Sequence, residues 1–143
     1  EFQTEEGFRN TRWRGRLELL SEHPMIFCDG AHNPDGARCL AEFLRNNFTN
    51  RRIIYIMGVL ADKDYRVMLR ETAGIAECIY TVAPDSPRAL PGSELGEAAE
   101  PYYDKVYVRD RLAPCLREVK KEAGEDDVIV IFGTLSFQNE LQG

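Results

Sequence analysis

The sequence predicts an α/β fold, in which a mostly parallel six-stranded sheet is covered by helices. Short runs rich in β-branched and aromatic residues alternate with segments whose apolar residues recur every three or four positions. This alternation is typical of a parallel sheet, because each parallel connection needs a crossover long enough to hold a helix. Runs such as residues 53–57 are apolar throughout, which indicates strands that are buried on both faces.

The chain is predicted to begin with an antiparallel strand pair and a helix. Strands are expected over residues 13–21 and 25–28, and so short a connection between them predicts antiparallel neighbours. The first helix is predicted over residues 34–48. Asn33 is a favoured N-cap, since its side-chain oxygen accepts from a free backbone N–H, and Pro34 suits the first helical position.

The rest of the chain repeats the strand–helix unit. Further strands are predicted over residues 53–57, 78–83, 105–108 and 128–132. Asp64, Ser93 and Asp110 are predicted to begin the helices between them, Gly74 to end the first of these, and a short helix to finish the chain. The order β-β-α-β-α-β-α-β-α-β-α predicts a Rossmann-like three-layer sandwich, with one antiparallel N-terminal strand and helices on both faces.

One domain is expected to account for most of the chain. The 143 residues fit a single domain over residues 13–143, preceded by a polar, aperiodic segment over residues 1–12 that is interpreted as a linker or frayed end. The net charge of −6 argues against a nucleic-acid partner, which would favour a basic surface. No apolar run approaches the ~20 residues that span a bilayer, so no membrane partner is expected.

The cysteines and tyrosines are interpreted as core residues. The four cysteines lie in apolar segments without a C-x-x-C pair, so they are expected to be buried free thiols, and no metal site is predicted. Free thiols suit a reducing compartment, which predicts a cytoplasmic protein. The tyrosines expected to pack in core elements are Tyr55, Tyr65, Tyr80 and Tyr107.

Polar loops follow the predicted parallel strands. Right-handed crossovers would bring the loops to one edge of the sheet, the edge at which open α/β sheets bind ligands. These loops span residues 29–33, 58–64, 84–92 and 133–134. Asp29 and His32 would place a carboxylate and an imidazole there, at a helix N-terminus that attracts anions. A purely structural turn is the alternative interpretation of the same residues.

Five motifs occur in a fixed order along the chain. They are Trp13-Arg14-Gly15-Arg16-Leu17-Glu18, Asp29-Gly30-Ala31-His32-Asn33-Pro34, Met57-Gly58-Val59-Leu60-Ala61-Asp62-Lys63-Asp64, Pro87-Arg88-Ala89-Leu90-Pro91 and Phe132-Gly133-Thr134-Leu135. Together they closely resemble the C-terminal domain of the folylpolyglutamate synthase and dihydrofolate synthase family, within the Mur ligase superfamily. The resemblance covers nearly the whole chain from Trp13 onward, and the second motif is its most specific part.

This resemblance implies an ATP-dependent amide ligase that adds L-glutamate to a folate or dihydropteroate carboxylate through an acyl phosphate. Family members bind ATP between a central P-loop domain and this C-terminal domain, with Mg²⁺ neutralising the phosphate charge. The chain has no G-x-x-x-x-G-K-[ST] stretch. The phosphate-binding loop and most magnesium ligands are therefore expected on a missing N-terminal P-loop domain, and the isolated domain is expected to be inactive.

Two departures from the family pattern bear on function. Thr134 stands where the family usually has Ser, so the hydroxyl is kept. Residues 136–140 differ from the usual Tyr-containing, Arg-terminated tail, so the resemblance assigns no role to them.

Seven residues are interpreted as site candidates, each against an ordinary alternative such as a solvated side chain, a turn or a helix cap. A guanidinium matches phosphate oxygens bidentately, and an imidazole can donate to a phosphoryl oxygen or orient the incoming glutamate. The predicted catalytic residues are His32 and Asp29. The predicted nucleotide contacts are Arg16, Asp29 and Thr134, and the predicted substrate contacts are His32, Asn33, Lys63 and Arg88.

Other functions compatible with the residues are a different Mur-type ligase that joins amino acids to a cell-wall precursor and a non-catalytic nucleotide- or anion-binding α/β module. A hydrolase that uses Asp29 and His32 is disfavoured, because the chain has no G-x-S-x-G nucleophile elbow.

Overall fold

The structure, a computed structural model, describes residues 17–142. The predicted linker over residues 1–12 and the candidate Arg16 lie outside the described residues, as does the first part of the predicted first strand. The strands are β1 (Glu18–Glu22), β2 (Met25–Cys28), β3 (Ile53–Met57), β4 (Cys78–Thr81), β5 (Val106–Val108) and β6 (Val128–Phe132). The helices are α1 (Pro34–Asn47), α2 (Tyr65–Glu71), α3 (Gly92–Ala99), α4 (Leu112–Glu122) and α5 (Ser136–Gln142).

The six strands form one sheet in the order β1-β2-β6-β3-β4-β5. β1 pairs with β2 antiparallel, and every other pair in the sheet is parallel. The predicted fold class is therefore confirmed, including the single antiparallel strand at the N-terminal end. β6 lies between β2 and β3, so the last strand completes the centre of the sheet.

Helices bury both faces of the sheet. One core cluster joins side chains of β2, β3 and β6 to α1, α2 and α3, and includes Phe27, Tyr55, Leu40, Met68 and Leu95. A second cluster joins the opposite faces of the same strands to α4 and α5, and includes Ile26, Ile56, Ile131, Val119 and Phe137. Successive strand residues point to opposite faces, so both faces of a central strand must be apolar. In the part of the chain that the structure describes, no helix has the length and apolar character needed to cross a membrane.

The start of α1 follows the local sequence signal. Asn33 is its N-cap, and the side-chain oxygen accepts from the Gly36 backbone N–H at 2.8 Å, with Pro34 in the first turn. α2 differs in detail, because Asp64 holds the N-cap position without a side-chain capping hydrogen bond. The helix ends before Gly74, where the Thr72 hydroxyl donates to the Met68 carbonyl at 2.9 Å.

The predicted starts of α3 and α4 are each displaced by tertiary contacts. Ser93 lies inside α3, which begins at Gly92, whose carbonyl accepts from the Thr81 hydroxyl at 2.8 Å. Asp110 precedes α4 by two residues, because its carbonyl still accepts from the Ala83 N–H at 3.2 Å. Local capping preferences are weaker than the contacts that align these segments with β4.

Two core assignments are wrong. Cys39 is exposed, because it lies on the outer side of α1, whereas the other three cysteines are buried and free. Tyr107 is 37% exposed, because β5 is the edge strand. Burial raises the pKa of the Cys28 thiol to about 12, so this cysteine stays protonated.

Candidate functional site

The carboxyl ends of β2, β6 and β3 lie side by side. Cys28 pairs with Ile131, and Met57 pairs with Phe132. The loops that leave these three strands therefore start next to one another. Each loop begins with one of the sequence motifs, so the topology brings three of the five motifs together.

Backbone hydrogen bonds join these loops directly. The Asp29 N–H donates to the Ile131 carbonyl at 2.8 Å, and the Gly133 N–H donates to the Ala31 carbonyl at 3.0 Å. The Gly58 N–H donates to the carbonyl of Phe132 at 3.2 Å. The three loops thus form one hydrogen-bonded unit at the edge of the sheet.

A fourth loop, residues 84–91, runs along the β3 loop. The Leu90 N–H donates to the Val59 carbonyl at 3.0 Å, and the Ala61 N–H donates to the Arg88 carbonyl at 2.8 Å. The prediction that all four loops share one edge is confirmed. We call the four loops, residues 29–33, 58–64, 84–91 and 133–134, the rim.

Asp29 is the first residue of the first rim loop. It is fully buried, and one carboxylate oxygen accepts from the Ala31 N–H at 2.9 Å, which closes the turn between β2 and α1. This bond fixes the backbone that carries the next candidate residues. Asp29 therefore has the turn-forming role that was the alternative interpretation of this residue. The Asp29 side chain is 0% exposed, so its carboxylate is separated from solvent.

His32 is held by the same turn. Its Nδ1 lies 2.9 Å from the Gly30 carbonyl oxygen, and the side chain is partly buried. A carbonyl oxygen only accepts, so Nδ1 carries a proton in this contact. The other ring nitrogen, Nε2, is then the atom that can accept from a ligand when the ring is neutral or donate to one when it is protonated.

The remaining candidates on the first and last rim loops also have structural roles. Asn33 is exposed and caps α1 through its side-chain oxygen, which leaves the amide –NH₂ to donate. Thr134 is 5% exposed, and its hydroxyl oxygen accepts from the Ser136 N–H at 3.3 Å. It also lies 3.2 Å from the Ser136 hydroxyl, so the two hydroxyls sit together at the start of α5.

The cationic candidates lie on the β3 loop and on the loop beside it. Lys63 is partly buried within the β3 loop, where its N–H donates to the Leu60 carbonyl at 3.2 Å. Arg88 is exposed, and its guanidinium lies 3.7 Å from the Asp62 carboxylate. Both members of that pair are more than half exposed, so solvent screens it and Arg88 can be recruited by another carboxylate at little cost.

Two glycines of the rim were not singled out by sequence reasoning. Gly133 has φ +123°, a conformation that L side chains rarely adopt, and a Cβ there would overlap the Gly58 carbonyl oxygen. A Cβ on Gly58 would lie 2.8 Å from the Val82 carbonyl oxygen and 2.5 Å from the Phe137 ring. Gly58 directly follows β3 and Gly133 directly follows β6. A glycine at such a position in the sequence indicates that the loop closely approaches a neighbouring loop.

Two clefts at this end of the molecule are lined partly by the rim loop over residues 84–91. A cleft of about 660 Å³ is lined by residues between β4 and α4, including Arg109 and Arg111. A smaller one of about 370 Å³ is lined by Asp85, Arg111 and Glu140, among others. Within residues 17–142, no group of three or more His, Cys, Asp or Glu side chains is arranged to hold a metal ion.

Comparisons with known proteins identify the family of the chain. The family model described as "Mur ligase, glutamate ligase domain" matches residues 15–135. A dihydrofolate synthase/folylpolyglutamate synthase of Bacillus subtilis is 33% identical over 136 residues, covering 95% of this chain and 31% of that protein. A folylpolyglutamate synthase of Lacticaseibacillus casei is 39% identical over 132 residues, covering 91% of this chain and 29% of that protein.

A solved structure of a folylpolyglutamate synthase has the same fold as this chain. Mycobacterium tuberculosis folylpolyglutamate synthase complexed with ADP superposes with a TM-score of 0.76 at 30% identity, covering 90% of this chain and 32% of that one. The chain thus spans about a third of the length of the relatives that it matches. The chain belongs to the Mur ligase family, as the C-terminal domain found in folylpolyglutamate and dihydrofolate synthases.

Proposed function

We propose that this chain is the C-terminal domain of an ATP-dependent amide ligase that adds L-glutamate to folate or dihydropteroate. The observation that carries the proposal is the rim: four of the five motifs that resemble this family lie at one hydrogen-bonded edge of the sheet. Relatives named as folylpolyglutamate or dihydrofolate synthases match the chain over nearly its whole length.

The reaction proceeds in two steps. A carboxylate oxygen of the folate or dihydropteroate attacks the γ-phosphorus of ATP, which releases ADP and forms an acyl phosphate. The amine of L-glutamate then attacks the acyl carbon, which releases phosphate and a proton and leaves an amide. Three anionic reactants must be held in line while water is kept out, and this requirement favours a site shared between domains.

The nucleotide side of the site is assigned to three residues. Arg16 would bind phosphate oxygens bidentately, and the Thr134 hydroxyl would donate to an anion at the start of α5. Asp29 would act at this site through the turn that it closes, because its carboxylate is buried and bonded to the Ala31 N–H. It is therefore proposed as a positioning residue for the loop that carries His32.

The substrate side is assigned to residues of three rim loops. His32 would donate from Nε2 to a phosphoryl oxygen of the acyl phosphate or orient the incoming glutamate. Lys63 and Arg88 would neutralise substrate carboxylates, since the exposed Arg88–Asp62 pair exchanges partners readily. Asn33 would add an amide donor while it continues to cap α1.

Magnesium is assigned to the rest of the enzyme. The described residues hold no group of three His, Cys, Asp or Glu side chains arranged for a metal ion, and Mg²⁺ at a nucleotide is usually held by one or two carboxylates together with the phosphates. We propose that the N-terminal P-loop domain holds the ATP phosphates and most of the Mg²⁺ ligands. A cytoplasmic location is proposed with it, since three of the four cysteines are buried free thiols.

Phosphate release tests the proposal. The full-length protein, incubated with ATP, Mg²⁺, L-glutamate and folate or dihydropteroate, should release phosphate only when all substrates are present. The 143-residue chain alone should release none. Phosphate release by the isolated chain would contradict the shared site, and tight ATP binding by the isolated chain in calorimetry would favour a self-contained binding module instead.

A further inference from the structure

The short helix α5 contacts two of the four rim loops and the end of β2, each through a different side chain. The resemblance that identified the rim assigns no role to this segment, because its residues depart from the family pattern. We propose that α5 positions the rim, and that Glu140 is the positioning residue for the loop that binds the L-glutamate carboxylate. This inference rests on the proposed function.

Glu140 holds the start of the loop over residues 84–91. One of its carboxylate oxygens accepts from the Asp85 backbone N–H at 3.0 Å, across 55 positions of sequence. Arg111 adds a second contact at the same point, donating to the Pro84 carbonyl at 3.2 Å.

The other end of that loop is held independently by the β3 loop. The bonds from Leu90 to Val59 and from Ala61 to Arg88 fix residues 88–90. Arg88 thus lies at the second anchor of the loop, and the bond from Glu140 supports the first one. Loss of this bond would release the Asp85 N–H while the bonds of Ser86 to Pro84 and Arg88 remain, and so loosen the first part of the loop that carries the Arg88 guanidinium.

The remaining side-chain contacts of α5 reach the β3 loop and the end of β2. Phe137 is fully buried, and its ring occupies the space beside Gly58 that a Cβ would need. The Gln138 side-chain amide donates to the Cys28 carbonyl at 3.4 Å, directly before Asp29. α5 begins at Ser136, whose N–H donates to the Thr134 hydroxyl, so this seven-residue helix also bonds to the last rim loop.

Glu140 acts on the loop backbone and not on the substrate. Its carboxylate bonds to the Asp85 N–H, so the requirement is for an acceptor oxygen at that place and not for a negative charge. Gln keeps such an oxygen, and Ala removes it. Asn139 is the matched control, since it is exposed on the same helix and no contact of its side chain is seen in the described structure.

Steady-state kinetics of the full-length enzyme test the proposal. Glu140→Ala should raise the KM for L-glutamate by roughly three- to tenfold, the loss expected for one hydrogen bond, and leave the KM for ATP within about twofold. Glu140→Gln and Asn139→Ala should both resemble the unsubstituted enzyme. The proposal would be overturned if Glu140→Ala raised the KM values for L-glutamate and ATP equally, raised only the KM for folate, or raised neither. It would also be overturned if Glu140→Gln raised the KM for L-glutamate as much as Glu140→Ala does.

Hydrogen exchange separates this inference from the proposed function. In the full-length protein, exchange at the Asp85 amide should be faster in Glu140→Ala than in Glu140→Gln or Asn139→Ala. Unchanged exchange would overturn the role of Glu140 whatever reaction is catalysed. A further outcome is that exchange responds as expected while the unsubstituted protein ligates no glutamate. In that case the proposed function and the assignment of the glutamate-binding loop would be wrong, but the role of α5 in positioning the rim would be confirmed.

Discussion

Gly133→Ala is the substitution to which the rim should be most sensitive. The residue has φ +123°, and a Cβ on its backbone would overlap the Gly58 carbonyl oxygen, which belongs to another rim loop. Backbone strain of an L residue at positive φ costs about 1–2 kcal/mol. Displacement of packed neighbours adds about 1–3 kcal/mol, so the free energy of unfolding should fall by about 2–5 kcal/mol.

Gly74→Ala is the matched control. Gly74 also has positive φ, +81°, but a Cβ there would meet nothing within 4 Å. Only the backbone strain applies, partly offset by the lower entropy of the unfolded chain, so the loss should be about 1 kcal/mol. For a domain of this size, 1 kcal/mol corresponds to a Tm change of about 3–5 °C.

Thermal unfolding followed by circular dichroism measures the difference. Gly133→Ala should lower the Tm by about twice as much as Gly74→Ala or more, or prevent folding altogether. Equal decreases in Tm would refute the reasoning, since they would mean that the contact between the two rim loops adds nothing to the backbone strain.

Three further predictions concern single contacts. Asn33→Ala should lower the free energy of unfolding by about 1 kcal/mol, because the Gly36 N–H loses its acceptor, whereas Asn33→Asp should not lower it. Chemical denaturation measures both variants, and equal denaturation midpoints for the two would contradict the capping role of Asn33. Cys39 should be the one thiol that reacts rapidly with a thiol reagent in the folded chain, and rapid reaction of a Cys39→Ser variant would show that a buried thiol is accessible. The bidentate bond from Arg109 lowers the pKa of Glu118, so the stability from this pair is present above the ordinary carboxyl pKa and is lost as the pH falls through the lowered value. Glu118→Gln should therefore show a slightly smaller loss of Tm on acidification, and an equal loss in both proteins would contradict the pair's contribution.

Features that depend on neighbouring residues were predictable from the sequence. The apolar runs of β3 and β6 indicate strands covered on both faces, and the structure buries every residue of both. The start of α1 follows from Asn33 and Pro34 alone, because an N-cap acts within one turn. The shared edge of the rim follows from the handedness of parallel crossovers, which is nearly invariant.

Features that depend on strand order or on distant contacts were not predictable. Tyr107 is predicted to be a core residue because it lies in an apolar strand, but β5 is the edge strand of the sheet and leaves the side chain exposed. The start of α3 is set by a bond between Gly92 and Thr81, which no local pattern encodes. The contact between Glu140 and Asp85 likewise joins segments far apart in sequence, so only the folded chain gives the tail a role at the rim.

The two histidines of the chain provide the most direct test of the site. His32 lies on the rim, and His23 lies exposed in the β1–β2 turn at the opposite edge of the sheet. In the full-length enzyme, His32→Ala should lower kcat/KM for glutamate addition by about 100-fold, as expected when one hydrogen-bond donor to a phosphoryl oxygen is lost. His23→Ala should change kcat/KM by less than about twofold, with both variants folded. If both substitutions leave kcat/KM within twofold of the unsubstituted enzyme, the rim is not the site of glutamate addition.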